Sequence, residues 1–426
     1  MISFKARYFI AFMVIAVAVI QLANAKSQDV SKVEKAYING IAQNASIKKA
    51  MSFIVGLDAK NIEDLITLTE IPAPPFQEQK RAEYFASMLK NAGLKDVSID
   101  KEGNVIGRRP GTKGNKVVAL AAHLDTVFPM ETDVNVRSDG NKFIAPGIGD
   151  NTRGLVLVLS VLKAMEDASI QTEADVLFIG NVGEEGLGDL RGVKQLFSKD
   201  SEKIDAYIGI DGGKNNRLIY GGVGSHRYRV AFSGPGGHSW GAFGMANPHH
   251  ALGRAIALFD ESGLDVTTSG PKTTYNVGRI GGGTSINSIP FESWAEIDIR
   301  SGTQSKLDKI DAILHKTVRQ ALHDENKDRT TGPEITVGIK RIGTRPAGLS
   351  DKSLPIIQHA MASMLKVGIE PRLAISSTDA NIPISMGVPA ITLSRGGVGG
   401  RAHSLDEWWE NEDSHIAIQV AFLTVV

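Results

Sequence analysis

No cysteine occurs in the 426 residues. That absence excludes disulfide staples and every thiolate-held centre, so any metal here must be bound by His, Asp and Glu. A chain of this length can bury an adequate core without cross-links. An excess of one charge is also lacking: Lys plus Arg and Asp plus Glu both number 47, for a formal net charge of zero. There is no basic surplus to collect nucleic acid and no acidic run that reads as a solvating tail. Internal repeats and low-complexity tracts are missing too.

Long apolar runs are absent except at the start. Lys5 and Arg7 precede an apolar stretch from Tyr8 to Ile20, which leads into Ala23-Asn24-Ala25. A short positive region, an apolar core and a small-x-small site together read as a secretory signal, cut after Ala25. The run is shorter than the roughly 20 residues that span a bilayer, so no stable membrane insertion is expected after cleavage. An uncleaved anchor is the alternative.

What remains has ordinary globular composition, 42% hydrophobic and 22% charged, at a length that favours two domains. After a polar, helical or loose lead-in from Lys26 to about Lys48, helical periodicity covers Asn61–Glu70 and Gln77–Ala92, the second ended by Gly93. Short β-rich runs follow at Lys116–Ala122, Ala174–Gly180, Ala206–Ile210 and Pro389–Leu393, with a helix at Gly154–Met165 between the first two. Strands alternating with helices predict an α/β fold, a sheet with helices on both faces. The character changes near Val223. From there to Ile335, strand-like Tyr228–Phe232 and Trp294–Ile299 alternate with helical Pro248–Ser262 and Ser305–His323, which reads as an inserted α+β domain. The expected division is 1–25 signal, 26–222 and 336–426 catalytic domain, and 223–335 insertion.

The acids and histidines sit just after buried strands or on Gly-rich loops, where an open α/β sheet gathers its site. His123-Leu-Asp125 follows the first strand, and in extended chain the two side chains point the same way. The pair is either a metal ligand with its orienting carboxylate or a mutually satisfied contact. Asp150 lies in Gly147-Ile-Gly-Asp-Asn-Thr-Arg-Gly154 before a helix, where Asp is ordinarily an N-cap. Glu184 and Glu185 end the next strand as adjacent like charges, which want a cation or a shared proton if partly buried. Asp211 closes the third strand, and His403 follows the last in a Gly-rich loop. Taken together, this inventory suits two divalent ions sharing one carboxylate, with an acid left to manage a water's proton.

The ordered set His-x-Asp, Gly-x-Asp-Asn-x-x-Gly, Glu-Glu, Asp-Gly and a late Gly-rich His resembles the M20 metallopeptidases. That family includes glutamate carboxypeptidase, tripeptide aminopeptidase, and the acetylornithine and succinyl-diaminopimelate deacylases. The resemblance implies a zinc-exopeptidase-like mixed sheet flanked by helices, with a ferredoxin-like insert serving as lid and dimerisation domain. It implies that Asp150 bridges two zinc ions, with His123 and Asp211 on one and Glu185 and His403 on the other; cobalt or manganese suits the same ligands. Glu184 would be the general base and Asp125 would orient His123. In the insert, Ser233-Gly-Pro-Gly-Gly-His238-Ser resembles the segment whose histidine steadies the oxyanion in a partner subunit's site. Asn287 would assist that oxyanion and Arg300 would hold a substrate carboxylate. Thr378 and Asp379, in Ser376-Ser-Thr-Asp-Ala-Asn381, would shape the pocket, whereas His226, His249 and His250 read as structural or surface residues.

The expectation is an exported zinc hydrolase of small peptides, with a homodimer through the insert. An N-acyl amino acid deacylase is the alternative within enzymes. A silent peptide-binding protein and a cell-surface structural module are the alternatives outside them.

Overall fold

A computed structural model describes residues 30–426. The expected signal lies outside the described residues, among which no helix is long and apolar enough to cross a membrane. The lead-in is two helices, Lys32–Ile41 and Ala45–Gly56, each started by a side-chain cap: Ser31 Oγ accepts from Val33 N and Asn44 Oδ1 from Ser46 N.

A large mixed sheet carries the catalytic domain. Its strand order is Asp96–Ile99, Val105–Arg109, Asp175–Asn181, Val117–His123, Ala206–Ile210, Ala390–Leu393, Arg217–Gly222 and Gly348–Leu349, with Arg372–Ser376 also beside Arg217–Gly222. The central four, from Asp175–Asn181 through Ala390–Leu393, run parallel. Every residue of Asp175–Asn181 is buried and Val117–His123 is nearly so, as expected for strands covered on both faces. The apolar helix Arg153–Asp167 packs on one face with Phe85, Phe178 and Phe422, while Leu190, Val193 and Leu196 of the next crossover pack on the other. The chain therefore crosses from Val117–His123 to Asp175–Asn181 over one face and from there to Ala206–Ile210, on the other side of Val117–His123, over the opposite face. That makes the carboxyl end of Val117–His123 the switch point where such sheets open a crevice.

The insert has its own core, built on Tyr228, Phe232, Phe259, Ile297, Ile310 and Leu314. Helices Pro248–Thr267 and Gln304–Asp328 back an antiparallel sheet ordered Thr273–Gly282, Glu292–Ser301, Gly224–Ser233, Thr336–Arg345. This is the split βαβ arrangement expected for a ferredoxin-like unit. The expected boundary at 335 is corrected here. Thr336–Arg345 pairs along Gly224–Ser233 from Thr336↔Ser233 to Arg345↔Ser225, so the insert closes at Arg345. Its alternation leaves one face open and gives no apolar run for a sequence reading to mark.

Arg81 fastens this frame to the site. Its guanidinium is buried, donating to the carbonyls of Thr69, Ile71 and Leu124, the last immediately after His123. Burial pulls its pKa down to about 10. Replacing Arg81 by Met would leave those carbonyls without a partner. The expected loss, on the order of 3 kcal/mol, is to be read from urea midpoints at unchanged m-value.

Candidate active site

The carboxyl ends of the parallel strands converge on one cleft of about 180 Å3, lined by Asp150, Glu184, Glu185, Asp211, His403, Ser377 and the arginines 227, 300 and 345. His123 ends its strand at the cleft floor, 1% exposed. Its Nε2 lies 3.3 Å from Asp150 Oδ1 yet makes no well-directed hydrogen bond. On the other side, His403 Nε2 is 3.4 Å from Asp150 Oδ2 and 2.9 Å from Glu185 Oε1. Asp150 thus stands between two imidazoles, one facing each oxygen. Ligating atoms of His123, Asp150 and Glu185 fall within 4.8 Å of one another.

A metal fits this set. The buried, undirected Nε2 of His123, together with acids crowded around it, is a donor array suited to a cation. Asp211, just beyond the third strand, lines the same cleft. Arg395 Nη1 reaches between the two aspartates, 3.8 Å from Asp150 Oδ1 and 3.9 Å from Asp211 Oδ1.

The turns that present these ligands are held by other carboxylates. Asp125 accepts from Glu184 N at 3.0 Å and Glu185 N at 2.7 Å. It does orient His123, but through its carbonyl oxygen, 3.0 Å from Nδ1; its carboxylate is 3.7 Å away. The spacing of the pair had suggested the carboxylate. Glu407 accepts from Gly147 N, Gly149 N and Asp150 N, and so fixes the Gly-rich turn. Gly147 takes φ 76°, where a side chain would be strained and its Cβ would meet Thr126.

Electrostatics follow the crowding. Burial, reinforced by Asp150, pushes Asp211 up to about 6 and Glu407 up to about 7. Burial likewise raises Glu184 well above the usual carboxylate range, with Glu185 adding to it and Arg345 opposing. Burial opposes ionisation of Asp150, but the imidazoles of His123 and His403 facing its oxygens, with Arg395 nearby, hold it well below that range. Hydrogen bonds to Asp150 and Glu185 lift His403 to about 10. Burial works against charge on His123, yet Asp150, Asp125 and Glu184 hold it well above the ordinary value.

Of the remaining expected residues, Arg300 lines the cleft, its Nε on Asp298 Oδ2 at 2.7 Å. His238 and Asn287 do not line the cleft of their own chain. They sit together on the exposed side of the insert, where His238 pairs with Ser288 and Ser239 N donates to Asn287 O. Thr378 and Asp379 lie beneath the cleft: Thr378 Oγ1 contacts Thr392 Oγ1 and Asp379 accepts from Asn181 Nδ2. It is Ser377 that reaches the surface of the pocket. His226 and His249 bond Asp311 and Ser293, and His250 is exposed, as expected of structural or surface residues.

The sequence reading passed over Arg227, Arg345, Ser377, Arg395 and Glu407. Arg395 could have been found, since it follows a buried strand as Asp211 does. Glu407, close behind His403, had only that nearness as a signal. Arg227 and Arg345 had none, because their place depends on how the insert's strands pair.

The profile of Peptidase family M20/M25/M40 matches residues 119–426. The chain belongs to the M20 family. It is 24% identical over 353 residues to the uncharacterised Bacillus subtilis protein YqjE, covering 79% of this chain and 90% of that one. To carboxypeptidase G2 of Pseudomonas sp. it is 21% identical over 319 residues, 72% of this chain and 74% of the relative. Among solved structures, aminopeptidase PepT from Bacillus cereus superposes with TM-score 0.69 at 18% identity, covering 86% of this chain and 97% of PepT. The dipeptidase Dug1p of Saccharomyces cerevisiae gives 0.68 at 16%, covering 89% and 98%. Like other M20 members, this chain is a hydrolytic metallopeptidase or amidohydrolase, and its His-Asp-Glu group suits the metal ions the family binds.

The raised imidazoles set a pH test. The acids around His403 and His123 favour their protonated forms, so a cation that took these imidazoles as ligands would compete with protons and its affinity would fall as pH falls. Calorimetric titration with zinc at pH 7.5, in buffers of differing ionisation enthalpy, should register release of about one to two protons per subunit.

Proposed function

We propose that this chain is an exported hydrolase that binds two zinc ions and cleaves the amide bond of small peptides, with Glu184 carrying the proton. The observation that carries the reading is Asp150, whose oxygens face His123 at 3.3 Å and His403 at 3.4 Å. A carboxylate so placed can serve two cations at once, His123 and Asp211 completing one position and Glu185 and His403 the other. Cobalt or manganese suits the same donors. When bound, such ions supply Lewis acidity to the scissile carbonyl and acidify a water.

The residues do the rest. Glu184, buried in the cleft, takes the water's proton and passes it to the leaving amine; its upward shift keeps it able to hold that proton. Among the described residues Arg300 is bonded through Nε alone, to Asp298, which leaves its terminal nitrogens for a substrate carboxylate. Tyrosine-free and open, the His238 loop offers a donor: Nδ1 accepts from Trp240 N and Gly241 N, which leaves Nε2–H for the oxyanion. Because His238 and Asn287 are exposed and do not line their own cleft, they would serve a second copy. Around them Trp240, Phe243 and Ile286 are 88%, 86% and 104% exposed, an apolar surface that a partner would cover. Export rests on the amino-terminal sequence, and a mature chain beginning at Lys26 would bear it out. It favours scavenging of peptides over biosynthetic deacylation.

A panel of a dipeptide, a tripeptide and an N-acetyl amino acid separates peptidase from deacylase. Chelator should abolish turnover and zinc restore it, while Glu184→Gln keeps its metal and loses about 10³-fold in kcat. A wild type that binds metal yet cleaves nothing in the panel would sink the substrate class. The shared-site reading has its own test. Co-expressed His238→Ala and Glu184→Gln chains, each inactive alone, should regain activity when mixed, since one site then has both groups. A histidine acting within its own chain would give none.

A further inference from the structure

We propose that Arg345 is a positioning residue for the reaction, delivered by the insert and acting through Glu184, with Ser377 fixing its orientation. The proposal rests on Glu184 being the proton carrier.

Arg345 is the last residue of the insert's closing strand and is 5% exposed. Its Nη1 donates to Glu184 Oε1 at 2.7 Å and to Ser377 Oγ at 3.0 Å, while Nη2 donates to the carbonyl of Glu184. One planar fork therefore holds both the side chain and the backbone of the same acid, which a point-like ammonium could not do. The neighbouring Glu185 turns instead to His403, at 2.9 Å. Two adjacent carboxylates are in this way sent in opposite directions, one to the ligand set and one to a guanidinium. A carboxylate that is to carry a proton must stay off the cations, and Arg345 occupies Oε1, which leaves Oε2 for the proton.

The grip extends along the loop. Arg227 Nη1 donates to Gly186 O at 2.6 Å, and Thr344 N donates to Asp189 Oδ1 at 2.7 Å. Both donors come from the insert, so the segment from Glu184 to Asp189 is held across the domain boundary. The aim of Glu184 depends on where the insert sits.

The test uses Leu-Gly and N-acetylmethionine, taking whichever wild type cleaves faster, beside its carboxamide. Arg345→Ala should lower kcat about 100-fold on both forms. KM should stay within about threefold and metal content should match wild type, with partial recovery of kcat in methylguanidine. Ser377→Ala, a milder change should the first variant fail to fold, should lower kcat about fivefold, again on both forms. A rise in KM on the free acid alone, with kcat kept, would overturn the proposal by making Arg345 a ligand of the substrate carboxylate. Unchanged kcat for both variants would overturn it as well. Glu184→Gln run alongside separates the two failures: if it turns over like wild type the proton-carrier reading falls, whereas if it is inactive and Arg345→Ala is not, only the role of Arg345 falls.

Discussion

Crowded negative charge at the carboxyl ends of the parallel strands is the constraint that the surrounding contacts answer. Asp150, Glu184, Glu185 and Asp211 share one small cleft, and burial removes the water that would screen them. The protein compensates in three ways: imidazoles flank Asp150, Arg395 reaches between Asp150 and Asp211, and Arg345 takes Glu184. The compensation is partial. Asp211 at about 6 and Glu407 at about 7 remain strained towards protonation. A cation bound among these acids would lower all of them together, so affinity for metal and relief of this repulsion would have the same origin.

Carboxylates that bind no side-chain cation have the opposite task, to accept backbone amides. Asp125 gathers the amides of Glu184 and Glu185, and Glu407 those of Gly147, Gly149 and Asp150. Each spends its charge on orienting a turn. The ligands thereby inherit the rigidity of the sheet rather than the looseness of loops, and Arg81 continues the chain of support from Leu124 to the helix Gln79–Asn91. Hydrogen bonds to an anion are stronger than neutral ones, which suits turns that must not shift when metal enters or leaves.

Much of this was legible in the sequence, and the part that was not has a common physical reason. Buried parallel strands are continuous apolar runs, so Val117–His123, Asp175–Asn181, Ala206–Ile210 and Ala390–Leu393 stood out, and the residues just beyond them were the right ones to inspect. Helix Arg153–Asp167 was likewise plain. Thr336–Arg345 escaped because one face meets solvent, and its partner strand lies some hundred residues earlier. Arg345 and Arg227 escaped with it, for a strand's register decides which side chain arrives at its end. Asp125 was recognised as important, but its work is done by hydrogen bonds to amides, which no side-chain spacing reports.

Why the cations come from the insert is itself a matter of electrostatics. An arginine rooted beside His123 or Asp211 would sit permanently among the ligands and compete with metal for them; Arg395 is tolerated there while staying 3.8 to 3.9 Å from the acids it faces. Arg227, Arg300 and Arg345 belong to a domain with a separate hydrophobic core. Their charge is therefore placed by inter-domain docking rather than by the sheet whose strand ends carry the acids. The resulting cleft has an acidic floor and a basic wall. Such polarity sets a field across the cleft, from the acids at the strand ends to the arginines of the insert.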